Sequence, residues 1–136
     1  MNTNYPTRAE LGLKILLAED TPATQRLLSH LLKRLGCEVL VAENGQVALD
    51  LFHADPTSFH LVLMDMNMPV LDGFEATKLL RARYPEQPIL ALTALDQEMQ
   101  KRCQDVGCND FLLKPVDRQQ LYDVLSRYSD LGNAST

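Results

Sequence analysis

A chain of 136 residues with 18 acidic and 13 basic side chains, formal net charge −5, is long enough for one ordinary core and too short for two. Its 46% apolar and 23% charged residues fit a globular protein and exclude a disordered, highly charged chain, and the acidic balance argues against general, direct affinity for nucleic acid or anionic membranes. No apolar run approaches the ~20 residues that span a bilayer, the first ten residues lack the apolar stretch of a signal peptide, and the three cysteines show no metal-ligand spacing, so a reducing, cytoplasmic setting is expected.

In chain order, Lys14-Ile-Leu-Leu-Ala18 reads as a first strand, and Pro22 is well placed to begin a helix. Leu27, Leu28, Leu31, Leu32 and Leu35 recur as one helical stripe, read as core, and Gly36 stops it. Glu38 to Ala42 is the next strand, and Asn44-Gly45 opens a short helix carrying Val47, Ala48, Leu51 and Phe52. After Asp55-Pro56, Leu61-Val-Leu-Met64 forms a third strand that ends at Asp65. Pro69 and Gly73 punctuate a loop before a helix over Phe74 to Tyr84, and Pro85 and Pro88 lead to the strand Ile89 to Thr93. Met99, Cys103 and Val106 share one face of a fourth helix that Gly107 ends. A fifth strand, Asp110 to Leu113, is followed by Lys114-Pro115 and a helix with Leu121, Val124, Leu125 and Tyr128.

These are five β–α units in one domain over residues 14–128, with tails at 1–13 and 129–136. Near-continuous apolar strands imply a parallel sheet covered on both faces, and right-handed crossovers then give a doubly wound, three-layer α/β sandwich. Ligands of such sheets bind at the carboxyl ends of the strands.

Four of the five predicted strands end in polar residues able to converge there: Glu19-Asp20, Asp65, Thr93 and Lys114. Core building requires none of them. Two carboxylates ~4 Å apart repel by about 4 kcal/mol at an effective dielectric of 20, so three at one cleft call for a cation. Magnesium takes oxygen ligands and keeps several waters. The expected set is Asp20 and Asp65 on the metal, Glu19 beside it or bound through water, and the backbone carbonyl of Asn67. An aspartate there can act as nucleophile toward a phosphoryl group, with Lys114 neutralising charge and Thr93 donating a hydrogen bond.

Taken singly, each residue has a plainer use. Glu19-Asp20 suits a helix start, Thr93 a strand end, Lys114 the surface and Phe111 the core. Met64, Met66 and Met68 suit packing, and His30, His53 and His60 show no partner pattern.

In combination, Leu-Leu-Ala-Glu19-Asp20, Met64-Asp65-Met-Asn-Met-Pro69 with Asp72-Gly73, Leu92-Thr93-Ala94 and Leu113-Lys114-Pro115 resemble the motifs of response-regulator receiver domains, over about Lys14 to Tyr128. That resemblance implies a flavodoxin-like (βα)5 fold, Asp65 as phosphorylation site, Glu19 and Asp20 as the acidic pair, and Mg2+ (or Mn2+) as cofactor. It further implies Thr93 as switch hydroxyl, Lys114 as phosphate-binding lysine, a cis bond before Pro115, and Phe111 as switch aromatic on the face of the fourth helix, fifth strand and fifth helix.

The implied partners are a sensor histidine kinase or a histidine phosphotransfer protein, with a phosphorylation-dependent homodimer as a further expectation. The wording of the motifs is most like receivers attached to hybrid sensor histidine kinases. The chain is expected to be a signalling phosphoacceptor rather than an enzyme, beyond its own phosphorylation and dephosphorylation. Asn67 and Leu95 occupy positions that tune water access, and apolar Leu95 is expected to slow acyl-phosphate hydrolysis. The competing function is a small Mg-dependent phosphohydrolase of the haloacid-dehalogenase type, which requires a second aspartate where this chain has Asn67. A receiver-like module that has lost phosphorylation is opposed by the intact acids, hydroxyl and lysine.

Overall fold

The computed structural model describes residues 11–94 and 96–129. Strands β1 (Lys14–Ala18), β2 (Glu38–Ala42), β3 (Leu61–Asp65), β4 (Ile89–Thr93) and β5 (Asp110–Leu113) form one sheet in the order β2-β1-β3-β4-β5. Every pairing is parallel. The connections are helices α1 (Pro22–Arg34), α2 (Gly45–Ala54), α3 (Gly73–Arg83) and α4 (Gln97–Val106), and α5 (Arg118–Leu125) closes the order with a 3-10 turn over Ser126–Tyr128. This is the flavodoxin-like (βα)5 arrangement expected from the sequence.

Strand side chains alternate between faces. Ile15, Leu17, Leu61, Leu63, Leu90, Leu92 and Leu112 join Leu28 and Leu32 of α1 and Leu121 and Leu125 of α5 in one core. Leu16, Ala18, Val62, Met64, Ile89 and Ala91 face the other way, onto Ala48 and Phe52 of α2, Ala76 and Leu80 of α3, and Cys103 of α4. Both faces are thus covered, which is why β1, β3 and β4 read as unbroken apolar runs. Leu11, Leu13 and Ser129, outside the 14–128 span, are buried as well, and Ser129 Oγ donates to Leu11 O at 2.9 Å.

Several expectations shift. Leu27 is 52% exposed rather than core. The third helix begins at Gly73, where Asp72 Oδ1 accepts from Glu75 N at 2.9 Å, and ends at Arg83 rather than Tyr84. Tyr128 lies in the 3-10 turn, not in α5. Two histidines do have partners: His60 Nδ1 accepts from Lys14 N at 2.9 Å, and His53 Nδ1 meets the Tyr84 hydroxyl at 2.9 Å.

Arg81 ties the end of α3 to the end of α4. Its guanidinium donates to Gly107 O at 2.8 and 3.1 Å, to Tyr84 O at 3.1 Å, to Pro85 O at 2.9 Å and to Asn109 Oδ1 at 2.7 Å. The same Asn109 oxygen accepts from Ile89 N at 2.8 Å, where β4 begins. Charged hydrogen bonds are worth ~1.5–3 kcal/mol each where truncation strands their partners, less where water replaces them. Arg81→Met should therefore lower the unfolding free energy by about 2–3 kcal/mol. Urea titration reads this as a lower midpoint at unchanged slope.

Candidate functional site

The charged residues gather at the carboxyl edge of the sheet. Glu19 directly follows β1, and its amide donates to Ala42 O at 2.9 Å, extending the β1–β2 pairing by one residue. The turn into α1 then holds the side chain: Thr21 N donates to Glu19 Oε2 at 3.1 Å, and Gln25 Nε2 donates to Glu19 O at 2.7 Å. Asp65 is the last residue of β3 and only 3% exposed. Its Oδ1 accepts from Asn67 N at 3.1 Å.

Lys114 reaches this cluster from the end of β5. Its amide donates to Thr93 O at 2.8 Å, and the peptide bond to Pro115 is cis, as the resemblance implied. Nζ lies 3.1 Å from Asp65 Oδ2 and 3.5 Å from Glu19 Oε1. One ammonium thus bridges two carboxylates.

Glu19, half-buried Asp20 and Asp65 each offer an oxygen within 4.8 Å of the others. Burial raises the Glu19 carboxyl above the ordinary range, and the Asp65 charge adds to the rise; the Thr21 amide and Lys114 oppose it. Glu19 Oε1 is buried without a hydrogen-bond partner. Three carboxylates beside one ammonium leave the cluster under-compensated, and a buried Glu19 oxygen that Lys114 reaches only at 3.5 Å fits a hard, oxygen-seeking cation.

Thr93 ends β4 beside β3 and is 3% exposed, and its hydroxyl makes a long contact to Ala94 O at 3.5 Å and meets the Cys103 thiol. Phe111 is half-buried on β5 and packs against the core that faces α2, α3 and α4. Asn67 is exposed just past Asp65, and Leu95 lies outside the described residues.

Three residues support the site, and of these only Gly73 stands out in the sequence, as a loop breaker within Asp72-Gly73. Gln25 holds the Glu19 carbonyl. Gln120 clasps the residue before Lys114, accepting from Leu113 N at 2.6 Å and donating to Leu113 O at 3.2 Å. Gly73 N donates to Met66 O at 3.2 Å, and a Cβ on Gly73 would stand 2.2 Å from Asp65 O. Glycine is required there because the backbone of β3 passes where a side chain would begin.

Beside the cluster lies a groove of about 350 Å³ lined by Thr24, Leu27, Leu28, Lys114, Pro115 and Val116. Exposed Leu27 forms part of its wall. Among the described residues no helix is long and apolar enough to cross a membrane.

The sequence profile described as response regulator receiver domain matches residues 15–126. The sensor histidine kinase GacS of Pseudomonas protegens is 36% identical over 125 residues, covering 88% of this chain and 13% of that protein. The chain therefore spans a small fraction of that relative. The receiver domain of the sensor histidine kinase PA1611 from Pseudomonas aeruginosa, solved with magnesium coordinated in its active-site cleft, is 37% identical with a TM-score of 0.79, covering 86% of this chain and 97% of that one. A co-crystal structure from Saccharomyces cerevisiae pairs the receiver domain of the response regulator Ssk1 with the histidine phosphotransfer protein Ypd1; the match is 28% identical, TM-score 0.80, covering 89% of this chain and 91% of the other.

Proposed function

Because this chain belongs to the response regulator receiver domain family, a family of two-component phosphoacceptors, we propose that Asp65 takes the phosphoryl group and that Glu19, Asp20, Thr93 and Lys114 serve that transfer. The observation that carries this assignment is the Lys114 ammonium 3.1 Å from Asp65 Oδ2, inside a cluster of acids at the ends of strands.

In the transfer, a carboxylate oxygen of Asp65 forms a bond to phosphorus as the P–N bond of a donor phosphohistidine breaks, and the imidazole departs with its electron pair. The Asn67 amide and the Lys114 ammonium hold the two Asp65 oxygens from separate sides, fixing the plane of the carboxylate. Lys114 then neutralises charge on the transferred oxygens, and the weakly held Thr93 hydroxyl turns to donate to one of them. A divalent cation, taken to be magnesium held by Asp20, Asp65, the Asn67 carbonyl and Glu19 directly or through water, supplies further charge neutralisation. Phosphorylation adds roughly −1.5 to −2 charge, which biases Thr93 and, through β5, Phe111.

The phosphohydrolase alternative loses its footing at Asn67, which has no carboxyl to act as general acid. The module is a signalling acceptor whose own turnover is limited to gaining and losing one phosphoryl group. Its place is the cytoplasm, where cysteines that are free in the structure stay reduced.

Magnesium at about 100 times its Kd should add about 2.7 kcal/mol to stability, seen as a raised Tm. Asp20→Asn should remove most of that gain. An equal rise in both proteins would sink the metal assignment.

The donor is a histidine kinase or phosphotransfer protein, in keeping with the complex of the Ssk1 receiver and with a kinase relative of which this chain matches a minor part. Its phosphohistidine must come within bonding distance of Asp65, so the donor's surface has to cover the neighbouring groove, where exposed Leu27 offers an apolar anchor beside Lys114. Leu27→Asp should slow phosphoryl transfer from a phosphorylated histidine protein by roughly tenfold or more while leaving acetyl phosphate labelling unchanged. Equal effects on both donors would mean that the groove is not the docking surface.

A further inference from the structure

Helix α4 ends in a Schellman motif that brings two cysteines together. Gly107 adopts the left-handed conformation (φ 104°); its amide donates to Gln104 O at 3.0 Å, and the Cys108 amide donates to Cys103 O at 3.0 Å. In this motif the residue one turn inside the helix and the second residue beyond it pack side by side, usually as an apolar pair. Here those two positions are both cysteine. The two side chains belong to the same core, with Cys103 1% exposed and Cys108 half-buried.

The thiols also act on one another chemically. A hydrogen bond from Cys108 holds the Cys103 thiol below its ordinary range, and the same contact with Cys103 pushes Cys108 up. The pair therefore loses its first proton more easily than its second, and the thiolate that forms is stabilised by its neighbour's S–H. The hydroxyl of Thr93 also meets the Cys103 thiol and lowers it further. Cys37 cannot substitute for either partner: it is buried in the core on the opposite face of the sheet, and burial raises its thiol to about 11.

We propose that Cys103 and Cys108 form a peroxide-oxidisable dithiol whose disulfide fastens the last turn of α4 to the approach to β5. Hydrogen peroxide oxidises the thiolate of the pair to a sulfenic acid and is itself reduced, releasing hydroxide. The second thiol then attacks the sulfenic sulfur, the S–S bond forms, and the oxygen leaves as water. Overall two thiols lose two electrons and two protons, and one peroxide becomes two waters. Cys103 is 1% exposed, so the small oxidant reaches its thiolate past the half-buried Cys108 beside it. The bridge closes a short loop across Gly107, whose hydrogen bonds already hold the two backbones in place.

The test is to treat the reduced chain with a small excess of hydrogen peroxide, denature and alkylate it, and count free thiols by intact mass. The expected result is a monomer lacking two hydrogens with one alkylatable thiol, which maps to Cys37. Cleavage before Asp105 should then give two fragments joined until dithiothreitol is added. Cys37→Ser should leave the bridge unchanged, and Cys108→Ser should abolish it. In the oxidised wild type, amide exchange at Gly107 and Cys108 should slow. Three alkylatable thiols after treatment, chains linked only to one another, or sulfinic acid on one cysteine without a cross-link would each overturn the proposal.

Discussion

Asp65→Asn should abolish phosphoryl incorporation from acetyl phosphate while leaving the fold intact. Asparagine has nearly the same shape, so its carbonyl oxygen keeps the bond that Asp65 Oδ1 accepts from the Asn67 amide at 3.1 Å. What disappears is the anionic nucleophile. Glu19 does not replace it, because its carboxylate is buried and one oxygen is bound by the Thr21 amide at 3.1 Å. The variant also loses one of three clustered negative charges beside a single ammonium, so its stability without metal should rise rather than fall. Intact-mass measurement with magnesium present, together with thermal melts without it, checks both halves. Label that persists at Glu19 or Asp20 would mean that the nucleophile has been misassigned.

Gly73→Ala should be among the most damaging single-methyl changes in the chain. The added Cβ would stand 2.2 Å from Asp65 O and 2.6 Å from Met66 Cα, and neither atom belongs to a flexible side chain able to move aside. The backbone itself has to give, at a cost of about 3 kcal/mol or more. The displacement falls on the residue that carries the nucleophile, and a shift of about 1 Å there is worth roughly 100-fold in rate. Urea unfolding and labelling kinetics should therefore fail together. Gly12→Ala provides the contrast: its φ is 68° but nothing lies within 4 Å of the new methyl, so only backbone strain of about 1 kcal/mol is expected and labelling should persist. If Gly73→Ala behaved like Gly12→Ala, the loop after β3 would not be clamping the site.

The fold, and the gathering of charged side chains at one edge of the sheet, were legible in the sequence because each such residue broke a local pattern. Asp65 and Lys114 terminate apolar runs where a core has no need of charge, and a parallel sheet carries all such ends to one edge. The limits of that legibility show on α1. At about 100° per residue its five leucines spread over an arc of about 140°. Burial falls across that arc from Leu32 and Leu28 at 0% and 1% exposed, through Leu35 at 4% and half-buried Leu31, to Leu27 at 52%. Periodicity gives the arc; where cover stops depends on how the helix is seated, and Leu27 ends up on the wall of the groove shared with Pro115 and Val116.

Gln25, Gln120 and Arg81 were opaque for a related reason. Each acts on a backbone atom that folding brings near, and a carbonyl has no residue type to betray it. The thiol pair was overlooked because cysteines five positions apart share no helical face; only the reversal at Gly107 sets them side by side.

The hydrogen bond between Ser129 and Leu11 has a consequence for how such a unit is used. It places the two ends of the described chain next to each other, at the pole where β1 starts and α5 finishes, a sheet's length from the acids. Paired ends suit a unit spliced into a larger architecture as a cassette with a single seam. Whatever is joined there pulls on a serine hydroxyl and a leucine carbonyl, not on the rim where the acids gather.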